Sequence, residues 1–506
     1  MPRTRSSSLE AGLRAGRLST WGLFSLGIAA VTPLSVVAGA IPLGYGQIRQ
    51  LGVPAGYTVV AVVLGLFAVG LAAMANHVPN SGAFYSYVAA GLGKPAGVAT
   101  AMIALVAYNA MQIGLYGAFG VATAAAMGIL DVHVYWGVWV LVGWLAVGVL
   151  GQLRVRVNAR ILGVLVGAEV LIVGILDAAM VTHPAGGTVR YDTLDPRLLA
   201  SPEAAASLVG GIAGLVGFEI PLAFALLARD RRRTTRRAIY SILAVVALLY
   251  AGSAWAMSVA TGPDRIIAVA GDHLTDLFFF LPAPYLPAVV LEVATALFAT
   301  SLFAAMLAFH STVARYTLTL AREGVLPHYL ARTRDDEVPV GGSALQTAIA
   351  IVSLLAIVAF GLDPTTDLFF FGTTSGGLGV LILMSVAAVA VIRFFHRRPL
   401  GENLWRRRIA PITSAAFLIT VLLLTLTFFG ELLGATDPIR IWAAPAVYLL
   451  VAVSGVAWAY RLKTKRPEAW AVIGQGDRAI TVRPIPLRRV PSDDGNHPRQ
   501  VYLNGR

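Results

Sequence analysis

Four acids lie inside apolar stretches of this chain: Glu169, Asp177, Glu219 and Glu292. A charge at mid-membrane costs about 2.5–3.5 kcal/mol on insertion scales, so an acid kept there calls for a use. Asp177 and Glu292 fall near the ends of their stretches, where a carboxylate reaches water. Glu169 and Glu219 are deeper, and a carboxyl at that depth is either a group that takes and releases a proton or one bonded permanently to a neighbouring helix. Glu219 belongs to Gly210-Gly211-Ile212-Ala213-Gly214-Leu215-Val216-Gly217-Phe218-Glu219-Ile220-Pro221-Leu222. The glycines weaken a helix there, and Pro221 removes an amide donor. A second interruption, Ala30-Val31-Thr32-Pro33-Leu34-Ser35, lies in the first apolar run.

An unwound membrane helix frees N–H and C=O groups, which only protein, water or ligand can satisfy. The N–H groups of a half-helix suit a carboxylate, and freed carbonyls suit an ammonium. Either proline alone reads as a kink. The matched pair, with polar neighbours, reads as a transport site at the membrane midplane. Candidate substrate contacts at the breaks are Thr32, Leu34, Ser35, Val36, Gly217 and Phe218, with Glu219 and Glu169 for proton coupling. In the third run, Asn109, Gln112 and Tyr116 share a helical face and serve either the substrate or helix packing. His310 has no partner histidine at ligand spacing, so it reads as a hydrogen-bonded bundle residue. Thr373, Thr374 and Ser375, before Gly376-Gly377, line a cavity or permit close packing.

The elements that must hold these residues follow from composition. The 506 residues are 57% hydrophobic and 13% charged, against about 25% charged in soluble proteins. The chain is an all-α integral membrane protein. Runs of about 20 apolar residues give twelve spans near 20–45, 56–76, 97–127, 135–151, 160–182, 204–228, 238–260, 286–320, 344–361, 367–392, 411–433 and 441–460. Spans 3 and 8 are long enough to tilt or to project into the cytoplasm. Lys94, Arg154, Arg156, Arg160, Arg229, Arg231–Arg233, Arg236, Arg237, Arg322 and Arg406–Arg408 all fall in even connections, whereas the odd ones hold only Arg49, Arg190, Arg197, Arg265 and Arg440. The positive-inside rule then places both termini in the cytoplasm of a multi-pass cell-membrane protein. That placement also accounts for the net charge of +13 without a nucleic-acid partner.

The expected organisation is a cytoplasmic tail over 1–19 and a transporter domain over 20–460. A first repeat covers 20–182, a second covers 204–392, and extra helices cover 411–460. A mostly disordered cytoplasmic tail follows over 461–506. Five spans per repeat give opposite membrane orientations, as an inverted repeat requires. The basic N-terminus imitates a signal peptide up to Ala38-Gly39-Ala40, but the apolar run continues past that point and contains Pro33. With no cysteine in the chain, disulfides and thiolate chemistry are excluded. No GxxxxGK[ST] loop, metal cluster or Ser/His/Asp arrangement is present, so neither an ATP-driven pump nor an enzyme is expected, and no cofactor or metal.

The pattern resembles the amino acid–polyamine–organocation (APC) superfamily of permeases over residues 18–460. Its carriers are Ala314-Arg315-Tyr316 with Leu320-Ala321-Arg322-Glu323-Gly324-Val325-Leu326-Pro327, and Gly217-Phe218-Glu219 followed by Ala228-Arg229-Asp230-Arg231-Arg232. A third is Pro79-Asn80-Ser81-Gly82-Ala83-Phe84-Tyr85-Ser86-Tyr87 with Gly91-Leu92-Gly93. The resemblance implies a LeuT-like five-plus-five inverted repeat with broken helices 1 and 6 and two C-terminal helices. It implies alternating access for amino acids or related amines, driven by protons or by exchange. There are three departures. Pro33-Leu34-Ser35 stands where the family often has Gly-Ser/Thr-Gly, and Ala213 stands where an aromatic gate is common. Glu169 and Asp177 are the charged groups in span 5, where proton-coupled relatives often carry a lysine.

Two other classes are a transporter-like sensor or receptor, which more often adds a folded cytoplasmic domain, and a channel, for which no repeated filter motif is present. The substrate is a small molecule in every reading, the surroundings are membrane lipid, and the oligomeric state stays open. The charge pattern makes a direct prediction. A reporter active only in the cytoplasm works when fused after Arg233 and fails after Asp195; the reverse result overturns the orientation.

Overall fold

The structure, a computed structural model, describes residues 18–78, 84–200, 202–334 and 338–475. The N-terminal tail up to residue 17, the motif residues Pro79–Ala83 and the tail from 476 onward lie outside them. The described chain is helical apart from turns and isolated bridges. Helix α1 (Thr20–Gly46) is broken at Thr32, and α2 (Val53–Ala75) returns across the bundle. A short helix, α3 (Phe84–Leu92), leads into α4 (Lys94–Gly128). Helices α5 (Trp136–Leu150) and α6 (Val155–Thr182) complete the first half.

The second half opens with another interrupted element, α7 (Pro202–Gly214) and α8 (Ile220–Ala223), separated by turns. There follow α9 (Arg231–Thr261), α10 (Ala288–Arg322) and α11 (Val340–Ala359). The series ends with α12 (Pro364–Arg397), α13 (Trp405–Thr427), α14 (Pro438–Lys465) and the short α15 (Pro467–Val472).

Among the described residues, eleven helices are long and apolar enough to cross a membrane. The run Ile266–Tyr285 meets that test, although the sequence reading leaves it in a connection and it consists of short helical pieces. Its first piece closes over the end of α1, where a methyl group on Gly46 would come within 2.6 Å of the Ala270 carbonyl oxygen. The apolar run 135–151 yields a helix of 15 residues. The broken run 204–228 is divided between α7 and α8.

Local chemistry sets several helix starts. Ser19 caps α1 through the Gly22 amide, Asp230 caps α9 through Arg232 and Arg233, Asp363 caps α12 through Thr365 and Thr366, and Asp437 caps α14. Each oxygen takes amides that the first helical turn leaves without partners. Leu18 pairs with the chain after α8, donating to the Leu227 carbonyl and accepting from Arg229 N at 3.0 Å. The N-terminal end of the first broken element and the C-terminal end of the second are thereby tied together.

Close packing of α4 on α12 depends on small residues. A methyl on Gly372 would meet Gly114 Cα at 2.9 Å, and one on Gly376 would meet the Ala107 carbonyl oxygen at the same distance. Small residues let helices approach where lipid supplies no hydrophobic driving force between them.

Composition predicts disorder from residue 461, but α14 continues to Lys465 and α15 docks on the bundle. Lys94 Nζ donates to the carbonyls of Trp470 at 2.6 Å and Ala471 at 3.0 Å. The Gly474 amide donates to Tyr85 Oη at 2.8 Å and to Glu323 Oε2 at 3.0 Å, and Tyr85 itself donates to Glu323. Gly474 has φ of +79°, and a methyl there would lie 2.8 Å from Ala89 Cβ. A side chain at such a φ costs on the order of 1–3 kcal/mol. Gly474→Val is therefore expected to undock this segment, with hydrogen exchange over 467–475 faster by about tenfold. Unchanged exchange by mass spectrometry would refute the docking.

Candidate functional site: two helix breaks back to back

The break in α1 begins with Thr32, at φ 52° and ψ 65°. A residue preceding proline is disfavoured in the α region, and Thr32 takes the left-handed conformation instead. Helix resumes at Pro33, which has no N–H to leave unpaired. The carbonyl released at Val31 accepts from Thr32 Oγ1 at 2.7 Å and from Tyr250 Oη of α9 at 3.0 Å. Val36 N donates to the Thr32 carbonyl at 3.1 Å. Helix α6 packs on the resumed turn Pro33–Ser35 and places Glu169 beside the Leu34 backbone. Glu169 is fully buried, and its Oε2 accepts from Ser301 Oγ of α10 at 2.7 Å.

The second break spans Leu215–Glu219, where Gly217 has φ of +117°. Glu219 closes this break on itself: Oε2 accepts from Gly217 N at 2.9 Å, and Oε1 accepts from Tyr108 Oη of α4 at 2.9 Å. Glu219 is also fully buried. The Tyr108 ring lies 5.9 Å from Tyr316 and 5.9 Å from Phe309. The two breaks touch directly, since a methyl on Gly217 would sit 2.8 Å from the carbonyl carbon of Ala30 and 2.9 Å from Val31 N.

The remaining site candidates divide into two groups. Thr32, Leu34, Ser35 and Val36 are all buried at the first break. Val36 faces α7, with its Cγ1 3.1 Å from where a methyl on Gly214 would stand. Phe218 packs edge-on against Phe67 of α2 at 6.5 Å. Gln112 accepts from Gln346 of α11 at 2.6 Å, and Asn109 Nδ2 donates to the Leu105 carbonyl of its own helix at 2.7 Å. Tyr116 is buried beside Gln112. These contacts of Asn109, Gln112 and Tyr116 are with α4 and α11 rather than with the breaks.

Asp177 accepts from Ser253 at 2.7 Å, and Glu292 is exposed. His310 exchanges a hydrogen bond with Ser343 at 2.8 Å. Ala213 lies against α12, 3.2 Å from where a methyl on Gly377 would stand, and the Ser375 carbonyl accepts from Tyr448. Tyr108, Tyr250, Tyr316 and Ser301 complete the site without having been selected from sequence. Tyr108 did carry a signal, since it precedes Gln112 by one helical turn and a buried phenol needs a partner. Ser301 carried none beyond a small polar side chain in a long helix.

This arrangement holds two carboxyls against two discontinuities of the backbone, where a proton or a ligand can change which donors they accept. Gly217→Ala would force a side chain into a positive φ and onto the backbone of α1, costing on the order of 1–3 kcal/mol in backbone strain before the clash. A clearly lowered melting temperature in detergent is expected; an unchanged one would show that the breaks do not touch as described.

The model of the amino acid permease family matches residues 18–453. A search of the curated proteins found no match. Among solved structures the chain is similar to a manganese transporter of Eremococcus coleocola. One mutant form is 14% identical with a TM-score of 0.53, covering 90% of this chain and 95% of that one. Another mutant form is 13% identical with a TM-score of 0.54 over the same shares. A complex with an aromatic bis-isothiourea substituted compound is 13% identical with a TM-score of 0.53, again over the same shares. Identities this low speak for the fold.

Proposed function

We propose, from the premise that this chain belongs to the amino acid permease family, that it moves amino acids or related small amines by alternating access, coupled to protons or by exchange. It is a multi-pass membrane protein and a transporter. The finer reading is a cell-membrane protein of twelve spans, arranged as five plus five in inverted repeat with two further helices, and with both termini cytoplasmic. Its carrying observation is the pair of buried acids at two touching helix breaks. A break lets one half of a helix tilt while the other stays packed, and the bond from Glu219 to Gly217 N lies at the hinge. An ionised Glu219 accepts from both Gly217 and Tyr108, whereas a protonated one has a donor of its own to place. Proton uptake would thereby change the geometry of the break.

Manganese, named for the structural neighbours, is the less favoured cargo. Among the described residues no three of His, Asp and Glu converge on one point.

Glu219→Gln keeps the shape and removes the titration. Accumulation driven by a proton gradient in proteoliposomes is expected to fall to background, while exchange of internal for external substrate persists. Undiminished accumulation would make Glu219 structural and Glu169 the coupling residue to test.

A further inference from the structure

The head of α1, the start of α6 and the chain that follows α8 enclose a cavity away from the helix breaks. Its volume is about 200 Å³, several times the roughly 30 Å³ share of a water molecule. Ser19 and Trp21 line it from α1, Arg156 and Arg160 from the first turns of α6, and Arg229 from the chain after α8. Three guanidiniums thus line one small space, where like charges repel unless an anion stands between them. The N-terminal end of α1 adds its own partial positive charge. Among the described residues, neither the exposed Arg160 side chain nor the Trp21 indole nitrogen has a hydrogen-bond partner. Arg156 and Arg229 have other contacts as well, and a guanidinium offers five donors. Asp230, the acid next to Arg229, is committed to capping α9.

The surface below the cavity identifies the kind of anion. Arg156, Arg160, Val164, Gly167 and Leu171 follow one another at helical spacing, in one line down α6. All five are exposed, Val164 at 74% and Leu171 at 66%. A methyl on Gly167 would meet nothing within 4 Å, so the line has a notch that a hydrocarbon chain can fill. Trp21 flanks it, with Nε1 3.1 Å from where a methyl on Gly163 would stand. Tryptophan is enriched at the boundary between headgroups and hydrocarbon, and basic pockets between membrane helices take lipid headgroups. A free phosphate would use the arginines alone. A phospholipid uses the arginines, the indole N–H and the apolar line together. A zwitterionic headgroup would add a further cation to three, which selects an anionic one.

We propose that this cavity binds the phosphate of an anionic phospholipid, with an acyl chain lying along the exposed line of α6. The phosphodiester bridges α1, α6 and the chain after α8, at the end where Leu18 pairs with Leu227 and Arg229. Such a site goes beyond the transporter reading and is independent of what the chain carries.

The test uses the full chain in nanodiscs of phosphatidylcholine, with or without phosphatidylglycerol. Phosphatidylglycerol is expected to raise the melting temperature, because a ligand of the folded state stabilises it. It is also expected to stay on the folded protein in native mass spectrometry. Arg160→Gln is expected to weaken that retention about tenfold, through loss of a charge-assisted hydrogen bond. Arg160→Lys keeps the charge and restores part of it, and Trp21→Phe weakens it by removing the indole donor while keeping a ring. Arg397→Gln, which removes an exposed arginine from the last turn of α12, is expected to cost far less. Only folded protein is weighed, so a folding defect does not register as lost binding. Equal losses in Arg160→Gln and Arg397→Gln would reduce the effect to bulk charge and overturn the site. The same rise in melting temperature from inorganic phosphate or glycerophosphoglycerol, in phosphatidylcholine alone, would overturn the lipid in favour of a soluble phosphate. If neither phosphatidylglycerol nor a soluble phosphate has any effect, the site itself falls.

Discussion

Backbone polar groups inside a membrane must find partners within the protein, since each one left unpaired costs several kcal/mol. This chain breaks that economy deliberately at Thr32 and Gly217, and the surrounding bundle repairs it. Tyr250 reaches from α9 to the Val31 carbonyl, Glu219 folds back onto the Gly217 amide, and Tyr108 reaches from α4 to hold Glu219 in place. Glu169 arrives from α6 and is fixed by Ser301 of α10. The helices around the breaks thus act as suppliers of single donors and acceptors. Their own close packing, through Gly114, Gly372 and Gly376, sets how accurately those groups arrive.

A repair of this kind is also a mechanism. Side chains that stand in for lost helical hydrogen bonds can exchange them for bonds to a proton or a ligand at little net cost, because one satisfied acceptor replaces another. A continuous helix has no comparable alternative. The contact between Gly217 and the backbone of Ala30 and Val31 means that neither break can change without the other. The pairing of Leu18 with Leu227 and Arg229 joins the same two elements at their far ends.

Much of this is legible in the amino-acid sequence, and the limit has a physical cause. Glycines, a proline and an acid within an apolar run conflict with a regular membrane helix, so both breaks can be located from composition alone. The depth of Glu169 and Glu219 is likewise a matter of counting residues from span ends. Partners are different. Ser301, Tyr108 and Tyr250 lie 132, 111 and 219 positions from the groups they serve, and their meeting depends on how helices rotate in the bundle. Gln112 illustrates the converse: spacing groups it on one helical face with Asn109 and Tyr116, yet it turns to Gln346 of another helix. The segment 467–474 belongs to a tail whose polar, basic composition reads as disordered, and its order comes from Lys94, Tyr85 and Glu323, none of them nearby in the chain. Ile266–Tyr285 passes a length test for a span because hydropathy does not register the turns that divide it.

The central claim is that the two buried carboxyls form the transport site, and substrate protection of those carboxyls tests it most directly. A lipid-soluble carbodiimide reacts with membrane-buried carboxyl groups, and peptide mass spectrometry locates the adducts. Adducts are predicted at Glu169 and Glu219 that diminish progressively as a transported substrate is added, while adducts at Asp177 do not change. Labelling of Glu169 and Glu219 that is indifferent to the substrate would contradict the claim.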